Sequence, residues 1–238
     1  HDLKSQYDQK YQEIYNQIGA LIRGEATAEI SQEDVEKYAI DTSNMTAAAI
    51  PNYWGKAIKH SNYFACNEKD EEILKHLTDV QLVLDGKLNF TVNFVFEQNS
   101  FLTNQVLSKS YIYDEKTFEL SSTKASSITW AAADKNPKLK KKTKKIKKGK
   151  KVETKTVEET VPSFFDYFQD ETQEMIFGVK DEAEFVKEEL IPYSMEFYLD
   201  IQKGDFEDDE DGEDGDEDDE DEEDEKPKKK KAPKTADA

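Results

Sequence analysis

Leu88-Asn89-Phe90-Thr91-Val92-Asn93-Phe94-Val95-Phe96-Glu97 decides the fold. Leu88, Phe90, Val92, Phe94 and Phe96 recur at every second position, and Asn89, Thr91, Asn93 and Glu97 stand among their neighbours. Successive side chains of a strand point to opposite faces, so this alternation predicts a strand with one buried face. Upstream, Val80, Leu82 and Leu84 keep the same period, and Asp85-Gly86 between the runs is a favoured two-residue hairpin turn. Downstream, Leu107, Tyr111 and Tyr113 predict a third strand, and Ile128 to Ala132 a fourth or fifth. Together they predict an antiparallel meander.

Helical periods stand on either side of it. Leu3, Tyr7, Tyr11, Ile14, Ile18 and Leu21 are three or four residues apart, which places them on one stripe of a helix stopped by Gly24. Such a stripe suits either packing on its own domain or pairing with a second copy. Glu29–Tyr38 predicts a short helix with Ser31 as N-cap and Asp34 three residues on. Ile50–Ile58 predicts another, with Pro51 in its first turn, and Glu68–His76 a further one capped by Asn67. After the meander, Ser163 opens a short aromatic helix, and Asp181 is expected to cap a longer one that Pro192 kinks. Helices, then a meander, then helices make an α+β chain rather than a doubly wound one.

Charge divides the chain more sharply than hydropathy does. Of the 21 residues from Asp205 to Glu225, 18 are Asp or Glu, and the formal charge of the whole chain is −20. Residues 1–204 carry a net −7 even though ten lysines crowd into Lys138–Lys151; without that segment the body stands at −17. An acidic run this dense repels itself and buries nothing, so disorder is expected from 205 to 225, with a basic disordered end over 226–238. Extended, its charges lie about 4 Å apart, against about 3.4 Å along one DNA strand. Such a tail can hold a basic partner and still yield it to duplex DNA. A plain solubilising role is the other reading of an acidic run. An acidic body favours a strongly basic protein partner over direct contact with nucleic acid. The lysine segment reads either as a basic loop or as a hairpin projecting over about 138–157 and turning near Lys148-Gly149.

A reaction centre is hard to assemble from these residues. His1, His60 and His76 form no pair with metal-ligand spacing, Cys66 stands alone, and no phosphate-binding glycine motif or nucleophile elbow occurs. No enzyme activity, metal or cofactor is expected, and the lone cysteine fits a reducing compartment. No apolar run approaches eighteen residues, so no membrane span is expected. Asn44 and Asn89 match the glycosylation pattern, but nothing else looks secreted. The chain begins at His1 within a helical pattern, so a preceding portion is expected to be missing.

Several motifs in order carry a family resemblance. Ile50-Pro51-Asn52-Tyr53-Trp54 with Lys56–Lys59, the run Asp70–Val80, Phe94–Asn99 with Phe101–Asn104 and Leu107–Tyr111, Ile128-Thr129-Trp130, the lysine segment, Ser163–Phe168 and Leu190–Ser194 resemble nucleosome assembly proteins. The acidic tail stands where that family has one. The resemblance covers residues 1–205, with 25–49 matching weakly as a segment of its own.

It implies a histone chaperone that binds the histone 2A–2B dimer, and also the histone 3–4 pair, and delivers them to DNA without ATP. DNA is then met only through histones. It further implies a homodimer built on a long antiparallel helix, within which Leu3, Tyr7, Tyr11, Ile14, Ile18 and Leu21 of residues 1–24 would form the seam. The lysine segment would be a basic hairpin with a nuclear localisation signal in Lys140, Lys141, Lys142, Lys144, Lys145, Lys147 and Lys148, giving a chain that shuttles between nucleus and cytoplasm. Histone-binding candidates are Asp170, Glu171, Glu174, Asp181, Glu182 and Glu184 in the α+β body (25–204), and Asp205, Phe206, Glu207, Asp208, Asp209 and Glu210 at the root of the tail. On the same scaffold, a nuclear regulator that inhibits an enzyme such as a phosphatase is the rival reading.

Overall fold

The computed structural model describes residues 2–201 apart from 44, 86–87, 149–150 and 172–175. These lie in one compact unit, His1–Gln202; the expected acidic tail and basic end fall outside the described residues.

The chain opens with α1, Asp2–Ile22. It ends as its glycine predicts: Gly24 takes φ +70°, its N–H bonds Leu21 O, and the Glu25 N–H reaches back to Ala20 O. That is a Schellman closure, and a side chain at residue 24 would collide with the backbone of Ala48 and Ala49. Three short helices follow: α2 (Gln32–Lys37), α3 (Tyr53–His60) and α4 (Glu68–Leu74). Ser31 caps α2, accepting the Asp34 N–H at 3.1 Å, as its spacing implies. Pro51 differs from expectation: the α3 N-cap is Asn52, at φ +52°, so the proline stands before the helix rather than in its first turn.

The meander is β1 (Leu77–Leu84), β2 (Phe90–Phe96), β3 (Val106–Tyr113) and β4 (Leu120–Ala125), antiparallel in the order β1-β2-β3-β4. Along β2 burial alternates strictly, with Phe90, Val92, Phe94 and Phe96 inward. Two expectations are corrected. The β1–β2 connection is not a two-residue turn at Asp85-Gly86; it runs from 85 to 89, with the Asp85 N–H donating to Asn89 O at 3.3 Å. Leu84 pairs with Phe90, so the register needs the longer loop. The last strand is also not Ile128 to Ala132, which makes only the isolated bridge Leu102–Trp130. It is Leu120–Ala125, a stretch with too few apolar residues to display a period. This edge strand is closed by the segment after residue 168: the Thr123 N–H donates to Glu171 O at 3.3 Å and the Ala125 N–H to Asp170 Oδ1 at 2.6 Å.

Leu139–Lys148 (β5) and Lys151–Thr160 (β6) form a separate two-stranded ribbon, so the lysine segment takes the hairpin alternative; the turn residues 149–150 lie outside the described residues. A 3-10 turn at Phe164–Tyr167 then sets Phe164, Phe165, Tyr167 and Phe168 into the sheet's buried face. Next comes α5, Ile176–Glu184, continuing as a π-helical turn over Phe185–Leu190 and followed by α6, Ser194–Leu199. Asp181 lies inside α5 rather than at its N-cap, because the helix begins five residues earlier. Pro192 interrupts the helix as expected: it offers no N–H, and the turn before it widens so that the Ile191 N–H bonds Val186 O.

Two buried carboxylates fasten the helices to the sheet. Asp79, only 3% exposed, pairs with Arg23 at the end of α1. Gly19 makes that approach possible, since a Cβ there would stand 2.9 Å from the Arg23 guanidinium and 3.3 Å from Asp79. Asp70, fully buried in α4, accepts from the Asn67 N–H at 2.9 Å, the Ser163 hydroxyl at 2.6 Å and the Phe164 N–H at 3.1 Å. Burial pushes its pKa up, and these three donors pull it back. Replacing Asp70 by Ala strands all three, and each buried unpaired donor costs about 1–3 kcal/mol. Asp70→Ala is therefore expected to lower unfolding stability by about 3–4 kcal/mol in a urea titration, while Glu72→Ala on the exposed side of α4 should change it little.

Candidate functional site

The segment 170–184 separates into surface acids and one internal acid. Asp170 is exposed, with one carboxylate oxygen on the Ala125 N–H. Glu171 is half-buried, its N–H donating to the Thr123 hydroxyl at 2.9 Å. Asp181 and Glu184 are exposed on α5, and Glu184 meets Lys180 one turn back at 3.6 Å. Glu174 lies outside the described residues, as do Asp205, Phe206, Glu207, Asp208, Asp209 and Glu210.

Glu182 is committed elsewhere. Its Oε1 accepts the Lys109 ammonium at 2.6 Å and the Tyr111 hydroxyl at 2.9 Å. Lys109 is 0% exposed in the middle of β3, and also donates to Tyr167 O at 2.8 Å. The ammonium lies 4.6 Å from the centre of the Tyr167 ring and 5.7 Å from that of Tyr111. Burial raises both phenols well above their ordinary pKa, so they remain neutral. Glu182 is thus the anion of an internal pair, and its expected place among the surface acids is withdrawn. Periodicity gave no warning, because Lys109 sits 73 residues away in a strand.

On α1 the apolar residues divide. Tyr15 and Ile22 pack on the core, and Gly19 is buried against β1. Tyr7, Tyr11, Ile14 and Ile18 stay 51%, 50%, 47% and 36% exposed. Leu21 is half-buried, and nothing is described of the Leu3 side chain. The exposed stripe is therefore an apolar face left over after the helix has met its own sheet.

The lysine ribbon is paired by its backbone: Lys140 opposite Glu159, Lys141 opposite Glu158 and Lys142 opposite Val157. Lys142 also reaches Glu159 at 3.3 Å. Beyond them Lys144 faces Lys155, Lys145 faces Thr154, Lys147 faces Val152 and Lys148 faces Lys151. Among the described residues no group of three or more His, Cys, Asp or Glu is placed to hold a metal ion.

Sheet, capping helices, lysine ribbon and amphipathic first helix together have known counterparts. The family model "Nucleosome assembly protein (NAP)" matches residues 1–201. The chain belongs to the nucleosome assembly protein family. Nucleosome assembly protein 1;4 of Nicotiana tabacum is 31% identical over 173 residues, 70% of this chain and 48% of that protein. Nucleosome assembly protein 1;3 of Arabidopsis thaliana is 28% identical over 218 residues, 82% of this chain and 58% of its own length. This member therefore spans about half to three-fifths of the curated relatives it matches. Nucleosome Assembly Protein 1 from Plasmodium knowlesi superposes with a TM-score of 0.58 at 26% identity, covering 84% of each chain. The malaria parasite family member superposes at 0.55, also at 26% identity, covering 84% of this chain and 83% of that one.

The two acids at 181 and 182 make a direct comparison. Glu182→Gln leaves the buried ammonium without its counter-charge, and removing one partner of a buried pair costs about 3–5 kcal/mol. Because Gln still offers an oxygen and Glu182 keeps some contact with water, a loss of about 2 kcal/mol is expected by chemical unfolding. Asp181→Asn is expected to leave stability within about 0.5 kcal/mol.

Proposed function

We propose that this nucleosome assembly family member is a histone chaperone. It binds the histone 2A–2B dimer, and the histone 3–4 pair by the same chemistry, and hands them to DNA without ATP. The observation that carries the reading is family membership along residues 1–201 in a chain of formal charge −20. Histones bind DNA through lysines and arginines, and an acidic protein occupies the same groups. Duplex DNA carries a charge about every 1.7 Å along its axis, denser than an extended acidic chain. Correct wrapping therefore takes the histone from the chaperone, while scattered contacts with DNA do not. The proposed contacts are Asp170, Glu171, Glu174, Asp181 and Glu184 with the tail residues Asp205–Glu210, and Phe206 as the apolar member among them. Glu182 acts one step back, holding α5 to the sheet.

The exposed stripe of α1 supports a homodimer in which Tyr7, Tyr11, Ile14 and Ile18 meet the same residues of a second copy. The lysines of the ribbon support a nuclear import signal in a shuttling protein.

Sedimentation of the chain with the histone 2A–2B dimer at about 0.15 M salt, where exposed charges act over only about 8 Å, is expected to give a stoichiometric complex. Histones should leave it as duplex DNA is added, with no ATP present. Absence of any histone complex under these conditions refutes the reading. The dimer has its own test. Replacing Tyr11 and Ile14 together by Asp puts charges into an apolar seam, and light scattering should then report a monomer with an unchanged melting temperature; a dimer that survives moves the interface elsewhere.

A further inference from the structure

The loop between β3 and β4 displays an aromatic ring that folding does not use. Phe118 is 67% exposed, and its φ is +61°. That left-handed region is uncommon for any residue with a side chain and is an outlier for a bulky one. Glycine or asparagine would sit there more comfortably. The loop is nonetheless closed tightly. Asp114 Oδ1 accepts the Lys116 N–H at 2.8 Å and the Thr117 N–H at 2.9 Å. The Phe118 N–H donates to Asp114 O at 2.9 Å, and the Asp114 N–H to Glu119 O at 2.9 Å. Those backbone donors to its side chain hold the Asp114 carboxyl below the usual range, so the loop keeps its negative charge.

Surroundings sharpen the point. Asp114, Glu115 and Glu119 are exposed in the same loop, with Lys116 among them. The adjoining β1–β2 loop is tied to the same end of the sheet through Asn89, whose side-chain oxygen accepts the Tyr113 N–H at 2.9 Å and whose amide donates to Asp85 at 2.8 Å. Glu184 and Glu188 lie close enough to Tyr113 to help burial raise its phenol. An exposed aromatic thus stands on a backbone fixed by hydrogen bonds, in a loop rich in carboxylates.

We propose that Phe118 is an anchor for the histone pair, its ring entering an apolar notch bordered by lysines or arginines that meet Asp114, Glu115 and Glu119. The inference rests on the chaperone reading and adds a contact point at the β3–β4 end of the sheet. A side chain carried on a backbone ordered before binding loses less freedom on docking, and aromatics carry a disproportionate share of interface energy. Strain tolerated at a displayed side chain is what a binding role explains and a folding role does not.

The position offers a test that separates binding from folding. Phe118→Gly removes the ring and relieves the backbone, so the melting temperature should hold or rise. Binding of the full chain to recombinant histone 2A–2B dimer, measured by fluorescence titration, should weaken about tenfold. That loss should persist at about 0.3 M salt, where charge–charge attraction is screened. Glu115→Gln with Glu119→Gln should instead weaken binding only at lower salt. Equal affinity of Phe118→Gly and parent would overturn this inference and leave the chaperone reading standing, whereas a parent that binds no histone would overturn both. A melting temperature that falls in both Phe118→Gly and Phe118→Asn would make the ring structural and likewise overturn the inference.

Discussion

A fully buried ammonium at Lys109 constrains everything that is built on the far side of the sheet. An unpaired charge in an apolar interior costs far more than a domain's net stability can bear, so an anion has to be brought to it. Glu182 supplies the charge, Tyr167 O a further acceptor, and the two tyrosine hydroxyls join in a bond of 2.8 Å above it. Because Lys109 is in β3, Tyr167 in the aromatic 3-10 turn and Glu182 in α5, satisfying one group positions three elements. The aromatic cluster around Phe94, Phe164, Tyr167 and Phe168 then fills the space between them with edge-on contacts at 5.0–6.0 Å between ring centres.

The opposite end of the chain is placed by the same kind of requirement. Asp79 is too buried to remain unpaired, and Arg23 can reach it only because α1 comes in close at Gly19. That contact fixes the rotation of α1 about its own axis. Tyr15 and Ile22 turn to the core, and the stripe through Tyr7, Tyr11, Ile14 and Ile18 turns away. A helix that packs one face on its sheet and leaves a second apolar face outward has a surface whose natural use is another apolar face. The face that packs within the monomer and the face left outward are therefore set by one contact.

What was legible in the sequence follows the physics of each element. β2 was readable because it is buried on one face along its whole length, and the caps at Ser31, Asn67 and Ser163 because a cap is decided within four residues. β4 was not. Leu120 and Thr123 are its buried positions, and its edge is satisfied by the Glu171 carbonyl and the Asp170 carboxylate, which no local pattern foreshadows. Ile128 and Trp130 imitate a strand because both are apolar and alternate, yet Trp130 makes an isolated bridge to Leu102 and packs on Phe165 while Ile128 lies against the core. Of the candidate acids, Asp181 and Glu182 are neighbours in sequence and opposites in placement. Only the position of Lys109 tells them apart, and that is a long-range fact.

The sorting of acids explains how a chain this negative keeps a folded body at all. Carboxylates that would repel one another are divided into two populations. Asp70, Asp79 and Glu182 are each consumed by donors or cations inside the fold, where they stabilise it and are unavailable to a partner. Asp170, Asp181, Glu184 and the acids of the β3–β4 loop remain at the surface, where water and salt temper their repulsion. A basic partner brought against them relieves that repulsion as well as gaining attraction, so binding and the stability of the acidic face are favoured together. The lysine ribbon stands outside this scheme. In its register Glu159, Glu158 and Glu153 stand opposite Lys140, Lys141 and Ile146. It packs into neither of the two fastenings, and its strands are held by each other's backbone.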